Sequence, residues 1–241
     1  MSRKTIEGET FDKTALHASG YGYAVHRDFA AHFFRWGLVT KVVVPGMSIL
    51  EIGCGTDTPL ARVFTYKHIR PAKYVGTDLN KLSRVPSRQW AEFIGEFDFT
   101  RRAGDLKKKH GTFDLIVSFE VIEHMPVEAG RRLLKNAREL MGPNSLFMLS
   151  TPAFNGKAAK NHIHEYRIDE LEKEIKAAKL KVEKRYGTFA SYHDIKKVAT
   201  KEERAVLDRI REYYDGEVAA CFLAPLYPDN SRNNVWYLRR A

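Results

Sequence analysis

Three carboxylates follow stretches of sequence that read as β-strands, and a glycine turn stands beside the first. In Ile49-Leu50-Glu51-Ile52-Gly53-Cys54-Gly55-Thr56-Asp57 the glycines permit a sharp bend and the close approach of a ligand to backbone. A dinucleotide fingerprint would carry a third glycine at position 58, opening a helix toward a pyrophosphate, but Thr58 stands there. Glu51 and Asp57 flank the bend; two carboxylates repel a pyrophosphate and suit a ligand with a cationic amino group. Asp78 ends Tyr74-Val75-Gly76-Thr77-Asp78-Leu79-Asn80, where a carboxylate accepts both hydroxyls of a ribose. Gly104-Asp105-Leu106 offers a third carboxylate to an adenine amino group, with Leu106 as an apolar wall. The set describes a pocket for a positively charged nucleoside and disfavours NAD or FAD. Cys54 reads as a small residue packed beside a strand rather than as a nucleophile.

A second cluster, Phe119-Glu120-Val121-Ile122-Glu123-His124-Met125-Pro126, follows another apolar run. Glu123 or His124 could take a proton from an acceptor; the alternative is that both bond to backbone and hold the loop. In Asn161-His162-Ile163-His164-Glu165-Tyr166 the two histidines read as substrate-side or loop-packing residues.

Positioning these groups needs a repeating scaffold. The chain alternates strand and helix after Pro45-Gly46. Strands are expected at 47–52, 73–77, 96–101, 113–119, 145–150, 180–187 and 234–239, and helices at 59–66, 127–141, 168–178 and 201–214. Near-continuous apolar strands separated by helices indicate an α/β fold: a doubly wound, mostly parallel seven-stranded sheet, Rossmann-like and covered on both faces. Such sheets bind ligands at the carboxyl ends of their strands, where the special residues fall. Residues 24–39 form an amphipathic helical extension, and residues 1–19 read as a loose arm. The domain reading is therefore an N-terminal arm and helix, 1–44, followed by one catalytic domain, 45–241. Gly20-Tyr21-Gly22-Tyr23 with His26 and Arg27 is consistent with a lid, or with a plain helix-entry turn. The polar run Pro228 to Asn234 is expected to meet substrate.

The 241 residues suffice for one such domain with terminal additions. Two cysteines build neither a disulfide framework nor a four-thiolate zinc site. No apolar run is long enough for a bilayer and the first residues lack a signal-peptide core, so no membrane partner is expected and cytoplasmic is the default location. The net charge of +10 attracts polyanions, although no single basic tract dominates. The Lys107-Lys108-Lys109-His110 run could reach a phosphate backbone. Oligomeric state is not legible.

The segments Ile49–Asp57, Gly76-Thr77-Asp78, Gly104-Asp105-Leu106 and Phe113–Pro126 together resemble the class I S-adenosylmethionine (SAM)-dependent methyltransferases, over about residues 45–190. The resemblance implies SAM as cofactor and S-adenosylhomocysteine as product. It implies cofactor contacts by Glu51, Gly53, Cys54, Gly55, Asp57, Asp78, Leu79, Asp105, Leu106, Phe119 and Glu120, with Glu123 and His124 catalytic. Asp57 departs from the family, in which many members carry a further glycine. Glu120, Glu123 and His124, joined by His162, are also similar to the metal site of small-RNA 2′-O-methyltransferases, but the segment equally resembles ubiquinone-type O-methyltransferases, and no metal ligand is assigned. The expected activity is methyl transfer to an O or N atom of a nucleic-acid or nucleotide-like acceptor. The alternatives are a small-metabolite methyltransferase and a SAM-binding subunit that needs a partner.

Overall fold

The computed structural model describes residues 3–6, 9–12 and 27–241. Two compact units divide the chain, one of residues 1–34 with 187–231 and the other of 35–186 with 232–241. This division differs from the arm-and-domain boundary expected near residue 44.

In the larger unit, strands whose residues are apolar on both sides must be covered on both sides. β3 (Ser48–Ile52), β4 (Lys73–Thr77), β6 (Phe113–Phe119) and β7 (Met141–Pro152) point Leu50, Val75, Ile116 and Phe147 into one buried cluster. Their neighbours Ile49, Tyr74, Leu115 and Met148 enter another, as the two-residue period of a strand requires. The first cluster includes residues of α3 (Phe99–His110), α4 (Val127–Glu139) and α5 (Ile168–Ala177). The second includes Val39 of α1 (Arg27–Val42) and Leu60, Ala61 and Phe64 of α2 (Pro59–Tyr66).

With β5 (Ala91–Ile94), β8 (Leu180–Phe189) and β9 (Asn233–Arg240), the sheet has the order β5-β4-β3-β6-β7-β9-β8. The pairings from β5 through β7 are parallel, and β9 runs antiparallel against β7. Strand order reverses between β3 and β6, so a crevice opens at their carboxyl ends. The expected doubly wound, mostly parallel seven-stranded sheet is present.

Its third strand is not where the sequence reading put it. β5 is Ala91–Ile94, and residues 99–110, partly read as strand, are helical. Asp98 caps that helix by accepting the Thr100 N–H, and Phe99, Ala103 and Leu106 are its buried residues, at helical spacing. β7 begins at Met141, running through Gly142-Pro143, and α4 stops at Glu139.

Where a loose arm was expected, β1 (Arg3–Ile6) and β2 (Glu9–Asp12) pair antiparallel. The lid expected from Gly20 to His26 lies outside the described residues. In the smaller unit, α6 (Tyr192–Val198), α7 (Lys201–Ile210) and α8 (Gly216–Leu223) share a core of Ile195, Leu207, Ala219 and Ala220. Of these, only α7 was anticipated, and it ends four residues early.

Candidate functional site

The end of β3 is bound to the end of β4. Gly53 and Cys54 donate backbone N–H groups to the Thr77 carbonyl at 2.8 and 3.0 Å. Gly53 has φ +74, and a Cβ there would lie 2.3 Å from Val121 Cγ2, so only glycine fits. Gly55, also at positive φ, donates its N–H to Asp78 Oδ2 at 2.9 Å. Asp78 Oδ1 accepts the Asn80 N–H at 2.8 Å. Each carboxylate oxygen has two acceptor positions, so both retain one for a further donor. Thr58, where a third glycine was sought, sits at φ 49 in the left-handed region that favours glycine.

Glu51 is buried and accepts the Tyr74 hydroxyl. Burial pushes its carboxyl up to about 8; the Tyr74 bond works against that shift and the Asp78 charge adds to it. A buried acid in this state gains from a cation brought beside it. Leu79 next to Asp78 is 69% exposed, an apolar surface presented at a polar edge. Asp57 is exposed and accepts the Ser83 hydroxyl at 3.0 Å. An acidic edge with a glycine bend and an exposed leucine fits a cationic nucleoside. Cys54 is buried, and its thiol is pushed up by burial and by the charges of Glu51 and Asp78. That is the opposite of nucleophile activation.

Asp105 and Leu106 do not join this edge. Both lie within α3; Leu106 is buried in the core, and Asp105 faces solvent, paired to Arg102 at 3.1 Å. A helix there satisfies Leu106 as a core residue and turns Asp105 away from it. The acid following β5 is Glu96, exposed, at φ 52, with its N–H on the Asn80 carbonyl at 3.1 Å. Gly95-Glu96 after a four-residue run was the available signal, weak because β5 is only half-buried.

Beyond β6, Phe119 is half-buried and Glu120 adopts φ 57, a left-handed conformation rare for a non-glycine residue. Glu120 accepts Ser150 Oγ at 2.6 Å on one oxygen and Asn233 Nδ2 at 2.6 Å on the other, with Arg35 at 3.7 Å. Glu123 is fully buried; one oxygen accepts Thr151 Oγ1 at 3.1 Å, and Oε1 has no partner. Burial, then the charge of Glu120, pushes its carboxyl well above the usual range.

His124 is exposed, with Nδ1 3.0 Å from the Asn161 carbonyl. His162 faces it edge-on, ring centroids 4.8 Å apart, with Nδ1 2.6 Å from Glu165 Oε1. Glu123, His124 and His162 each bring one potential ligand atom within 4.8 Å of the other two. An orphaned buried carboxylate oxygen beside two imidazoles is a donor set that fits a divalent cation. His164 lies apart from it, on Glu170 at 2.7 Å. Arg35 escaped the sequence reading; Arg232 and Asn233 lie in the polar run 228–234 that was expected to meet substrate, Glu165 in the segment of His162 and His164, and Ser150 and Thr151 at a strand end, none of them with a role assigned.

The family described as "Methyltransferase domain" matches residues 38–185, more than half of the chain. The chain belongs to that family, and its sheet order and glycine bend are those of a class I SAM-dependent methyltransferase, with SAM as methyl donor. A search of curated proteins finds no match to the sequence. Among solved structures, the chain is similar to a putative methyltransferase of Haloferax volcanii in complex with the Trm112 methyltransferase activator, at 13% identity and TM-score 0.56, covering 95% of this chain and 97% of that one. A SAM-dependent methyltransferase from Anabaena variabilis aligns at 11% identity and TM-score 0.56, covering 90% and 86%. A Burkholderia thailandensis 1,6-didemethyltoxoflavin-N1-methyltransferase, with its substrate and S-adenosylhomocysteine bound, aligns at 13% and 0.54, covering 99% and 95%. At these identities the likeness is one of fold.

Proposed function

We propose that this methyltransferase acts on an O or N atom of a nucleic-acid or nucleotide-like acceptor, seated against the Glu120–His124 segment with SAM along the ends of β3, β4 and β5. SAM supplies a methyl group already activated on a sulfonium. The protein therefore has to hold donor and acceptor in line and receive a proton. Glu51 meets the cofactor's amino group, Asp78 its ribose hydroxyls, and Leu79 the adenine face. Glu96 takes the place at the third strand end that the sequence reading gave to Asp105. The acceptor's one proton passes to His124, with Glu123 beside it.

The observation that carries the acceptor class is the loop from Ala153 to Glu165. It is tied to the Glu123 turn, because Ile163 and His164 donate N–H groups to the Glu123 carbonyl at 2.8 and 3.1 Å. It carries the exposed Lys157 and Lys160 within a few residues of His162. A basic loop at the acceptor side, in a chain of net charge +10, suits an anionic acceptor. Incubation with methyl-labelled SAM and a panel of RNA, DNA, nucleotides and metabolites tests this at rising salt. Label on a polyanion, with kcat/KM falling steeply as salt rises, is the expected result. Label on a neutral metabolite at a salt-independent rate would replace this reading with the small-metabolite one.

A further inference from the structure

The turn between α2 and β4 and the residues before β5 meet at the amino ends of these strands, the opposite end of the sheet from Gly53 and Asp78. Helix α2 stops where His68 turns left-handed, at φ 56. That turn engages the helix's last carbonyls: Lys67, His68 and Ile69 donate N–H groups to Val63, Thr65 and Phe64 at 2.9, 3.2 and 2.8 Å. Thr65 Oγ1 donates to the Ala61 carbonyl at 3.0 Å and accepts Arg88 Nε at 3.1 Å. Arg88 Nη1 donates to the Ser87 carbonyl at 2.8 Å, which fixes the guanidinium beside the last turn of α2 and leaves Nη2 for another acceptor. A cavity of about 480 Å³ lies here, lined by the exposed His68, Arg70 and Arg88 and by the less exposed Phe64, Ile69 and Trp90. Among the described residues, no carboxylate lines it.

Trp90 stands edge-to-face against the buried Tyr74, ring centroids 5.9 Å apart, and its carbonyl accepts the Tyr74 N–H at 2.8 Å. The indole is thereby fixed before any ligand arrives. Arg70 has no ion pair or side-chain hydrogen bond among the described residues. A fixed π-surface with two guanidiniums and no acid suits a planar base joined to a phosphate. Stacking holds the base, and the guanidiniums take the phosphate oxygens in pairs. We propose that this cavity binds a phosphorylated nucleoside, its base on Trp90 and its phosphate on Arg70 and Arg88, at a site separate from that of the methyl donor. The five residues of β4, about 16 Å of strand, stand between it and Asp78. A free mononucleotide and one nucleotide of an RNA strand carry the same groups, and the test tells them apart. The proposal does not depend on the acceptor reading, because binding here is measured without methyl transfer.

The test follows indole emission of the full-length protein, saturated with S-adenosylhomocysteine so that the donor site is filled, as uridine 5′-monophosphate, uridine or a short oligouridylate is added. The monophosphate and the oligonucleotide should quench the emission saturably, and uridine at the same concentrations should not. Of the three tryptophans only Trp90 should respond, so the quenching should vanish in Trp90→Phe. Arg70→Met and Arg88→Met should each weaken binding about tenfold, and Lys157→Met, on the acceptor-side loop, by no more than about twofold. S-adenosylhomocysteine affinity should stay constant in these exposed variants. Oligonucleotide binding tighter than the monophosphate by about tenfold or more assigns the site to an RNA strand, and a smaller difference assigns it to a free nucleotide; either supports the shared chemistry. No quenching by either ligand in a protein that binds S-adenosylhomocysteine overturns the site while leaving the methyltransferase reading intact. Quenching that persists in Trp90→Phe, or that Lys157→Met abolishes and the arginine variants keep, overturns the placement. Quenching by uridine as strong as by its monophosphate overturns the role of the two arginines.

Discussion

Asp78 Oδ2 lies 2.9 Å from the N–H of Gly55, so the carboxylate proposed to hold the ribose also braces the glycine bend proposed to hold the rest of the cofactor. Cofactor affinity and local stability are therefore linked at this one side chain.

Asp78→Ala should destabilise the protein even without ligand. The carboxylate is 8% exposed and serves two backbone donors, Gly55 and Asn80. Leaving buried donors unmet costs about 1–3 kcal/mol. A fall of several degrees in Tm by calorimetry is expected, and an unchanged Tm would mean that water replaces the carboxylate at no cost.

Gly53→Ala should be more disruptive than its size suggests, because the new methyl meets Val121 and the backbone remains at φ +74. Val121→Ala should recover only part of the lost stability, since it relieves the collision and not the strained dihedral. Full recovery in the double variant, read from denaturant unfolding, would show that φ strain is negligible here.

Glu51 sets a pH dependence. Its folded carboxyl lies near 8, against 4.5 for an ordinary glutamate, so the folded state favours the protonated form. Relative to the unfolded chain, the ligand-free protein loses stability as pH rises from about 4.5 and stops losing it near 8. Glu51→Gln should flatten that decline. Binding of a cationic amino group favours the ionised acid, so titration at pH 7 in buffers of different ionisation enthalpy should register proton release in wild type and not in Glu51→Gln. Equal heats after buffer correction in both would remove Glu51 from the amino-group site.

His124→Gln should lower kcat by about a hundredfold or more, the scale of a lost general base, while cofactor affinity changes little. Undiminished turnover would assign His124 to holding the Asn161 loop through its 3.0 Å bond.

Much of this site is legible in the sequence because it sits at the ends of the most buried strands. β3, β4 and β6 are apolar on both faces, so their limits, and with them Gly53, Gly55, Asp78 and Glu120, follow from hydrophobic runs and the glycines that stop them. β5 is a half-buried edge strand of four residues whose pattern is too short to stand out. That shift placed the acid at the end of the third strand at Asp105 instead of Glu96, on a helix whose apolar residues recur at Phe99, Ala103 and Leu106. Partners such as Arg35, Asn233 and Arg232 come from α1, from β9 and from the residue before it, far away in sequence; the polar run 228–234 marks the last two, but nothing local ties them to Glu120 and Glu165. Antiparallel addition of β9 beside β7 is what brings Asn233 to Glu120.

The central claim is that the acidic ends of β3 and β4 hold the methyl donor. Calorimetric titration of S-adenosylhomocysteine into the wild-type protein, Asp78→Asn and the exposed control Asp169→Asn tests it most directly. One molecule bound per chain, with affinity reduced about a hundredfold in Asp78→Asn and unchanged in Asp169→Asn, is the expected result, a loss of about 2.7 kcal/mol. Equal affinity in all three proteins would contradict the account.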